Sequence, residues 1–283
     1  MAVVATGFFD GVHLGHRQVI RTLVSSARER GEEAIVVTFA PHPRAVLQQD
    51  AHSLRLLNSP QEKEALLRAL GVDRVETLRF DRDFARLTAA EYIRTVLAGR
   101  FGATALVLGF DNRLGSDRLT PDAIAPIAES LGLEVIVVPA ATQQAEVVSS
   151  TKIRKALEEG RVEEAEAMLG YAYGLRGAVV GGKRLGRTLG FPTANLRLYD
   201  PLKLVPARGV YLTEVEVLGR HHWGMTNVAE PIETHIFDFS EDIYGLDLEI
   251  RFRRWLRPMQ PFDSLDALAA QLAADEAACR ALI

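Results

Sequence analysis

Met1-Ala-Val-Val-Ala-Thr-Gly-Phe-Phe-Asp-Gly-Val-His-Leu-Gly-His16 is the stretch whose reading decides the fold of the N-terminal half. Ala2 to Ala5 is a short apolar run of the kind that forms a buried strand. It breaks at Gly7, passes Asp10-Gly11 and reaches His13-Leu-Gly-His16, after which Arg17 to Arg30 reads as a helix. Two histidines therefore flank a glycine at a helix mouth. Free N–H groups and the helix dipole favour negative charge there, and Gly15 puts no side chain between a ligand and the backbone. The pattern predicts a nucleotide-phosphate site.

Outward from this stretch, strand-like and helix-like segments alternate. Ala34 to Phe39, Arg74 to Phe80, Ala105 to Leu108 and Glu134 to Val138 read as strands. Helices are expected over Pro60 to Leu70, from Thr88-Ala-Ala-Glu91 (a capping box) to Arg100, and after Thr120-Pro121. A β-α-β-α order implies a parallel sheet with helices on both faces and a crevice at the carboxyl ends of the strands. The segments that should line it are Gly7 to His16, Ala40 to Pro43, Asp81, Gly109 to Asn112 and Val147 to Arg154. In the last of these, Ser149, Ser150 and Thr151 precede a helix with Arg154 one turn inside it. Hydroxyls and a guanidinium at one helix start suit a second anion site, although a capped surface helix has the same local pattern.

Near Tyr171 the grammar changes, which sets the domains at 1–170 and 171–283. Gly174 to Val180, Val210 to Val217, Glu233 to Phe239 and Leu246 to Phe252 are short, β-rich segments; the last alternates Leu246, Leu248, Ile250 and Phe252 with charged residues. Together they predict a small antiparallel barrel. Phe262 to Ile283 reads as a closing helix with Leu265, Leu268, Leu272 and Ala273 on its apolar side. Gly181 to Gly190 is rich in glycine and basic residues (Lys183, Arg184, Arg187) and leads into Phe191-Pro-Thr-Ala-Asn195. Such a loop can approach phosphate closely, and Thr193 and Asn195 are neutral oxygen donors of the kind Mg²⁺ accepts. A mobile hairpin before a proline turn fits the same composition. Glu233 and His235 share one strand face, so Glu233 is a candidate general base or an ordinary edge-strand glutamate. Adjacent His221 and His222 would face opposite ways, which excludes a zinc site built with His235.

The 283 residues carry a formal net charge of -4, 48% hydrophobic and 25% charged residues. No basic stripe marks a nucleic-acid or membrane partner, and no apolar run approaches the roughly 20 residues of a membrane span. A single cysteine, Cys279, excludes an intrachain disulfide and fits a cytoplasmic protein. The N-terminus carries no secretion signal.

Gly7 to His16, Thr38-Phe-Ala-Pro-His-Pro43, Gly109-Phe-Asp-Asn-Arg-Leu-Gly115 and Val148-Ser-Ser-Thr-Lys-Ile-Arg154 resemble, in order, the motifs of prokaryotic FAD synthetases of the nucleotidyltransferase class. Gly186 to Asn195, Gly209-Val-Tyr211 and Glu233-Thr-His235 are similar to the riboflavin kinase module fused behind them. The resemblance spans essentially the whole chain. It implies a Rossmann-like nucleotidyltransferase domain followed by a small barrel with a C-terminal helix, acting on ATP, riboflavin and FMN to yield FMN and FAD. Carried residue by residue, it makes Glu233 the kinase base and Thr193 and Asn195 the Mg²⁺–phosphate ligands, with Gly186, Arg187, Thr188, Gly190 and Pro192 around the nucleotide. His13, His16, Ser150 and Arg154 become the donors for adenylyl transfer. Gly7, Phe8, Asp10, Gly11, Phe39, His42, Asp111, Asn112, Ser149 and Thr151 are then expected to line flavin and ATP. The chain departs from the family pattern at Lys152, where arginine is usual, at Asn112 to Leu114, which is less aromatic, and in a shortened Asn227–Glu233 connection. That connection leaves open an FAD synthetase with a weak kinase, beside a non-catalytic flavin- or nucleotide-binding regulator.

Overall fold

The computed structural model describes residues 1–47, 54–143, 146–182 and 185–283. These form two compact units, Met1–Ser150 and Thr151–Ile283.

The first unit is built on five parallel strands: β1 (Ala2–Thr6), β2 (Glu33–Ala40), β3 (Arg74–Arg79), β4 (Ala103–Gly109) and β5 (Glu134–Val138), in the order β3-β2-β1-β4-β5. Their side chains alternate between two cores. Val3, Ala5, Val36 and Val107 pack under α1 (Leu14–Arg30) and α3 (Pro60–Ala69) through Ile20, Leu23 and Leu67. Val4, Ile35, Leu106 and Leu108 meet Ile93, Leu97, Phe101 and Ile124 on the other face. Between α1 and α3 lies the short α2 (Pro43–Leu47). Ile93, Leu97 and Phe101 belong to α4, which runs through Ala89–Tyr92, a π-helical stretch Ile93–Ala98 and a last turn Gly99–Phe101. The expected box is present: Thr88 accepts from Glu91 N while Glu91 accepts from Thr88 N. Ser59 and Glu62 form a second box at α3, and Thr120 caps α5 (Pro121–Ser130), whose first residue is proline. A small pair, β6 (Thr142–Gln143) and β7 (Glu146–Val147), follows the sheet.

The second unit is a closed six-stranded antiparallel barrel in the order β10-β11-β12-β9-β8-β13. Its strands are β8 (Gly174–Val180), β9 (Ala194–Leu198), β10 (Gly209–Val217), β11 (Arg220–Val228), β12 (Ile232–Ile236) and β13 (Asp247–Pro258). β9 and β11 escape the hydrophobic pattern because Asn195, His221, His222, Gly224 and Asn227 interrupt it. Leu248, Ile250 and Phe252 are fully buried, whereas Leu246, expected to join them, lies before β13 and is exposed. Thr213, Thr226 and Thr234, all 0% exposed, link β10, β11 and β12 in a row. Thr213 donates to the Gly224 carbonyl, and the three hydroxyls stand 2.9 Å apart in sequence.

Three helices dress the barrel, and a fourth, α8 (Leu185–Thr188), is a single turn between β8 and β9. From α6 (Ser150–Glu158), the Leu157 carbonyl accepts from Ala207 N. In α7 (Val162–Leu169), Glu166 and Glu163 pair with Arg253 and Arg254 of β13. The closing helix, α9 (Leu265–Arg280), differs from the sequence reading. Its buried residues are Asp275 and Cys279, with Leu268 and Leu272 half-buried, while Leu265 and Ala273 face solvent. The reason is a polar contact at a core position: Arg257 grips Asp275 through Nε and Nη2, at 2.7 to 3.0 Å. A hydrophobic pattern rotates the helix toward its leucines and cannot register such a pair.

Gly160 joins α6 to α7 at φ +78°, and a Cβ there would come within 2.0 Å of the Trp255 ring. Gly160→Ala therefore combines backbone strain with overpacking, and is expected to destabilise the second unit by about 2–4 kcal/mol. A lowered denaturation midpoint with an unchanged slope is the expected result.

Candidate active sites

Each unit holds a polar cluster beside a cavity. In the first, the helix mouth begins three residues earlier than expected. His13 itself is the N-cap, its Nδ1 accepting from His16 N at 3.3 Å in the place usually taken by serine or aspartate. His16 thus sits in the first turn, and its ring stacks on His13 with centroids 3.7 Å apart and planes 16° from parallel. Gly15 makes this possible, since a Cβ there would stand 3.2 Å from the His13 ring. Phe9 closes the other side of His16 edge-on at 5.3 Å.

The turn beneath is held by Asp10, which is 4% exposed. Its carboxylate accepts from Leu57 N and Asn58 N at 3.0 to 3.2 Å. Its main-chain carbonyl accepts from Ser150 Oγ at 2.8 Å, which brings the Ser149-Ser150 segment onto the Gly7–His16 turn. Asp10 and Ser150 are thus the ties of the site, placing the histidines by contacts within the protein. Thr151, exposed, and Arg154, half-buried, belong to α6 in the second compact unit.

A cavity of about 540 Å³ opens beside this turn, lined by Gly7, Phe8, Phe39, Phe80, Phe84, Tyr92 and Asn112 among others. Phe39 packs at 5.6 to 6.3 Å from the rings of Phe80, Phe84 and Tyr92, and the Tyr92 hydroxyl bonds Thr6 Oγ1 at 2.8 Å. Asn112 donates to the Thr6 carbonyl at 3.1 Å and keeps a buried Oδ1 without a partner. His42 is turned onto Phe8, ring centroids 3.9 Å apart, and Asp111 is exposed. Of these, Phe80, Phe84 and Tyr92 escaped the sequence reading: they lie after the third strand and in the first turn of α4, where aromatic residues read as core.

Lys63 escaped it too. This residue of α3 is 7% exposed and donates to the Phe8 carbonyl at 3.0 Å and to Thr38 Oγ1 at 2.9 Å, with its ammonium 4.3 Å from the Phe8 ring centre. Burial pulls it down to about 8, Asp10 opposing part of that shift. In sequence it is one lysine of an amphipathic helix and carries no signal.

In the barrel, register does the assembling. Glu233 of β12 stands opposite Asn195 of β9 on one side and Asn227 of β11 on the other. Directly paired residues share a face, so a carboxylate lies between two carboxamides. The Oδ1 atoms of both Asn195 and Asn227 are buried without a partner. Gly182 lies against Asn195, where a Cβ would stand 2.3 Å from its amide nitrogen. His235 is aligned by the Pro192 carbonyl at 2.8 Å and is 3.8 Å from Glu276. A cavity of about 380 Å³ is lined by Arg187, Pro192, Thr193, Thr234, Asp242 and Tyr244 among others. Gly186 is packed under the Phe191 carbonyl, Gly190 turns at φ +85°, and Thr188 is exposed. Lys183 and Arg184 lie outside the described residues.

Comparison with known proteins assigns both halves of the chain to one family. Residues 1–152 match the family described as FAD synthetase, and residues 169–283 match riboflavin kinase. A bifunctional riboflavin kinase/FMN adenylyltransferase of Listeria monocytogenes is 37% identical, covering 99% of this chain and 91% of its own. This chain belongs to that bifunctional family. The Bacillus subtilis member is 33% identical over 97% of this chain and 90% of its own. A crystal structure described as a macrolide-efflux protein from Streptococcus pneumoniae superposes with a TM-score of 0.92 at 36% identity, covering 99% of this chain and 93% of that one. Among the described residues of the present chain, no helix is long and apolar enough to cross a membrane.

The enclosure of His16, reinforced by His13 and Lys63, holds its imidazole well below the ordinary histidine value. An unfolded chain takes up that proton near pH ~6.5 and the folded one only at lower pH, so acidification through this window favours unfolding. Ring-nitrogen NMR is expected to find His16 neutral at pH 6. His16→Gln is expected to remove part of the stability loss below about pH 6.5.

Proposed function

We propose that the chain makes FMN from riboflavin at the Asn195–Glu233–Asn227 face of the barrel, and FAD from FMN at the histidine turn, using ATP in both steps. The observation that carries this is the ordered match of both halves to the bifunctional family over nearly the whole chain. The functional division assigned is adenylyltransferase over 1–170 and kinase over 171–283.

In the kinase step Glu233 accepts the proton of the ribityl 5′-hydroxyl as its oxygen attacks the γ-phosphorus of ATP and the bond to ADP breaks. The work is positioning and charge neutralisation. Thr193 and Asn195 are the residues to hold Mg²⁺, and the unpaired, buried Asn195 Oδ1 suits a hard cation. Bound Mg²⁺ would neutralise phosphate charge. Arg187, at the cavity wall, supplies further positive charge, and Gly186, Thr188, Gly190 and Pro192 shape the loop over the nucleotide.

In the adenylyl step a phosphate oxygen of FMN attacks the α-phosphorus of ATP and pyrophosphate leaves. The nucleophile is already an anion, so no base is required. Charge stabilisation is required, and His13, His16 and Arg154 are assigned as donors, while Ser150, whose hydroxyl proton goes to the Asp10 carbonyl, anchors the turn that presents them. A neutral imidazole still offers one N–H, so the depressed basicity of His16 is compatible with donation. The flavin is assigned to the aromatic cavity beside Phe8, Phe39 and His42. Asn112 has an unused carbonyl oxygen there.

Incubation with riboflavin, ATP and Mg²⁺, followed by chromatography, is expected to yield FMN and then FAD. FAD from supplied FMN without FMN from riboflavin would leave only the second activity. Glu233→Ala is expected to lose FMN formation yet still adenylylate supplied FMN, and His16→Ala the reverse, each by ~100- to 1000-fold in turnover. Loss of both activities from one substitution in a folded protein would contradict two separate sites.

A further inference from the structure

We propose that Lys63 is a positioning residue for adenylyl transfer: its ammonium ties the end of β1 to the end of β2 beneath the histidine turn and sets a positive charge behind the phosphate site. The inference rests on the assignment of the histidine turn to that reaction.

The geometry has two parts. Lys63 Nζ donates to the Phe8 carbonyl and to Thr38 Oγ1, and Thr38 Oγ1 also reaches the Phe8 carbonyl at 3.3 Å. Phe8 and Phe39, the neighbour of Thr38, both line the aromatic cavity. One ammonium therefore fixes the spacing of the two strand ends that form a wall of the cavity. The same Phe8 begins the turn that ends in the stacked histidines, so the clamp also sets where the histidines stand relative to the cavity.

The second part is electrostatic. An ammonium 7% exposed is costly unless strongly compensated, yet the hydrogen-bond partners of Lys63 among the described residues are a main-chain carbonyl and a hydroxyl, not a carboxylate. Asp10 favours its charge from the turn, and Lys63 in turn disfavours protonation of His16. The remaining ionisable groups nearby are otherwise engaged. His13 caps α1, Glu62 closes the Ser59 box and Glu64 pairs with Arg68. Arg55 donates to the Leu54 carbonyl and Arg17 to that of Val12. A buried cation so weakly paired inside the protein is matched by an anion brought from outside, and the triphosphate and FMN phosphate are such anions.

Because the ammonium loses its proton near pH 8 in the free protein, the charge is testable without a variant. The pH dependence of kcat/KM for FMN reports groups of the free enzyme. Wild type is expected to lose kcat/KM as pH rises through about 8. Lys63→Met is expected to be about 10- to 100-fold slower at pH 7 and to show no such limb. Lys63→Arg, permanently charged, is also expected to show no limb, with activity nearer wild type. A flat wild-type profile through pH 8 overturns the inference, as does a limb that persists in either variant. Should Lys63→Met not fold, the wild-type and Lys63→Arg profiles decide alone. A wild-type protein that forms no FAD from FMN would instead overturn the assigned function.

Discussion

A single buried carboxylate holds the N-terminal site in place. Asp10 sits among residues in backbone conformations that L-amino acids avoid: Phe9 at φ 52° and Val12 at φ 36°, with Gly11 at 87° between them. Each such non-glycine residue costs about 1–3 kcal/mol and persists only when its surroundings impose it. Asp10 supplies that imposition by accepting two main-chain N–H groups from the Leu57-Asn58 segment, while its own carbonyl receives the Ser150 hydroxyl. The histidine cap, the stacking of His13 on His16 and the wall of the aromatic cavity all follow from a turn that could not keep its shape alone.

The barrel reaches a comparable result by different means. No strained turn is needed to bring Asn195, Glu233 and Asn227 together, because antiparallel register places them side by side across three strands. The amide oxygens of the two flanking asparagines are buried and make no hydrogen bond among the described residues. Regular structure with unsatisfied acceptors marks this site; irregular structure with a satisfied anchor marks the other.

This contrast explains what was legible in the sequence. The parallel sheet, the capped helices and the barrel were readable because each rests on local pattern: apolar runs, Thr88-x-x-Glu91, alternation over Leu248 to Phe252. The histidines and Glu233 stood out because their residue types are chemically distinctive at those spacings. Lys63, Phe80, Phe84 and Tyr92 were not legible, since their partners lie on other strands and each fits an ordinary helix or core position. Ser59 and Glu62 were readable in principle as a second capping box. The rotation of α9 toward Asp275 was hidden because its cause, Arg257, lies 18 residues away on β13.

The threonine row inside the barrel has a directional consequence. Thr213 donates to the Gly224 carbonyl, so its proton is taken and it can only accept from Thr226. Thr226 in turn can only accept from Thr234. The whole row is thereby polarised one way. Thr234, whose side lines the barrel cavity, has no hydrogen left to offer and presents lone pairs alone. At that point the cavity wall welcomes an N–H or O–H group and turns away an anionic oxygen, a preference written at the far end of the row by the bond from Thr213 to the Gly224 carbonyl.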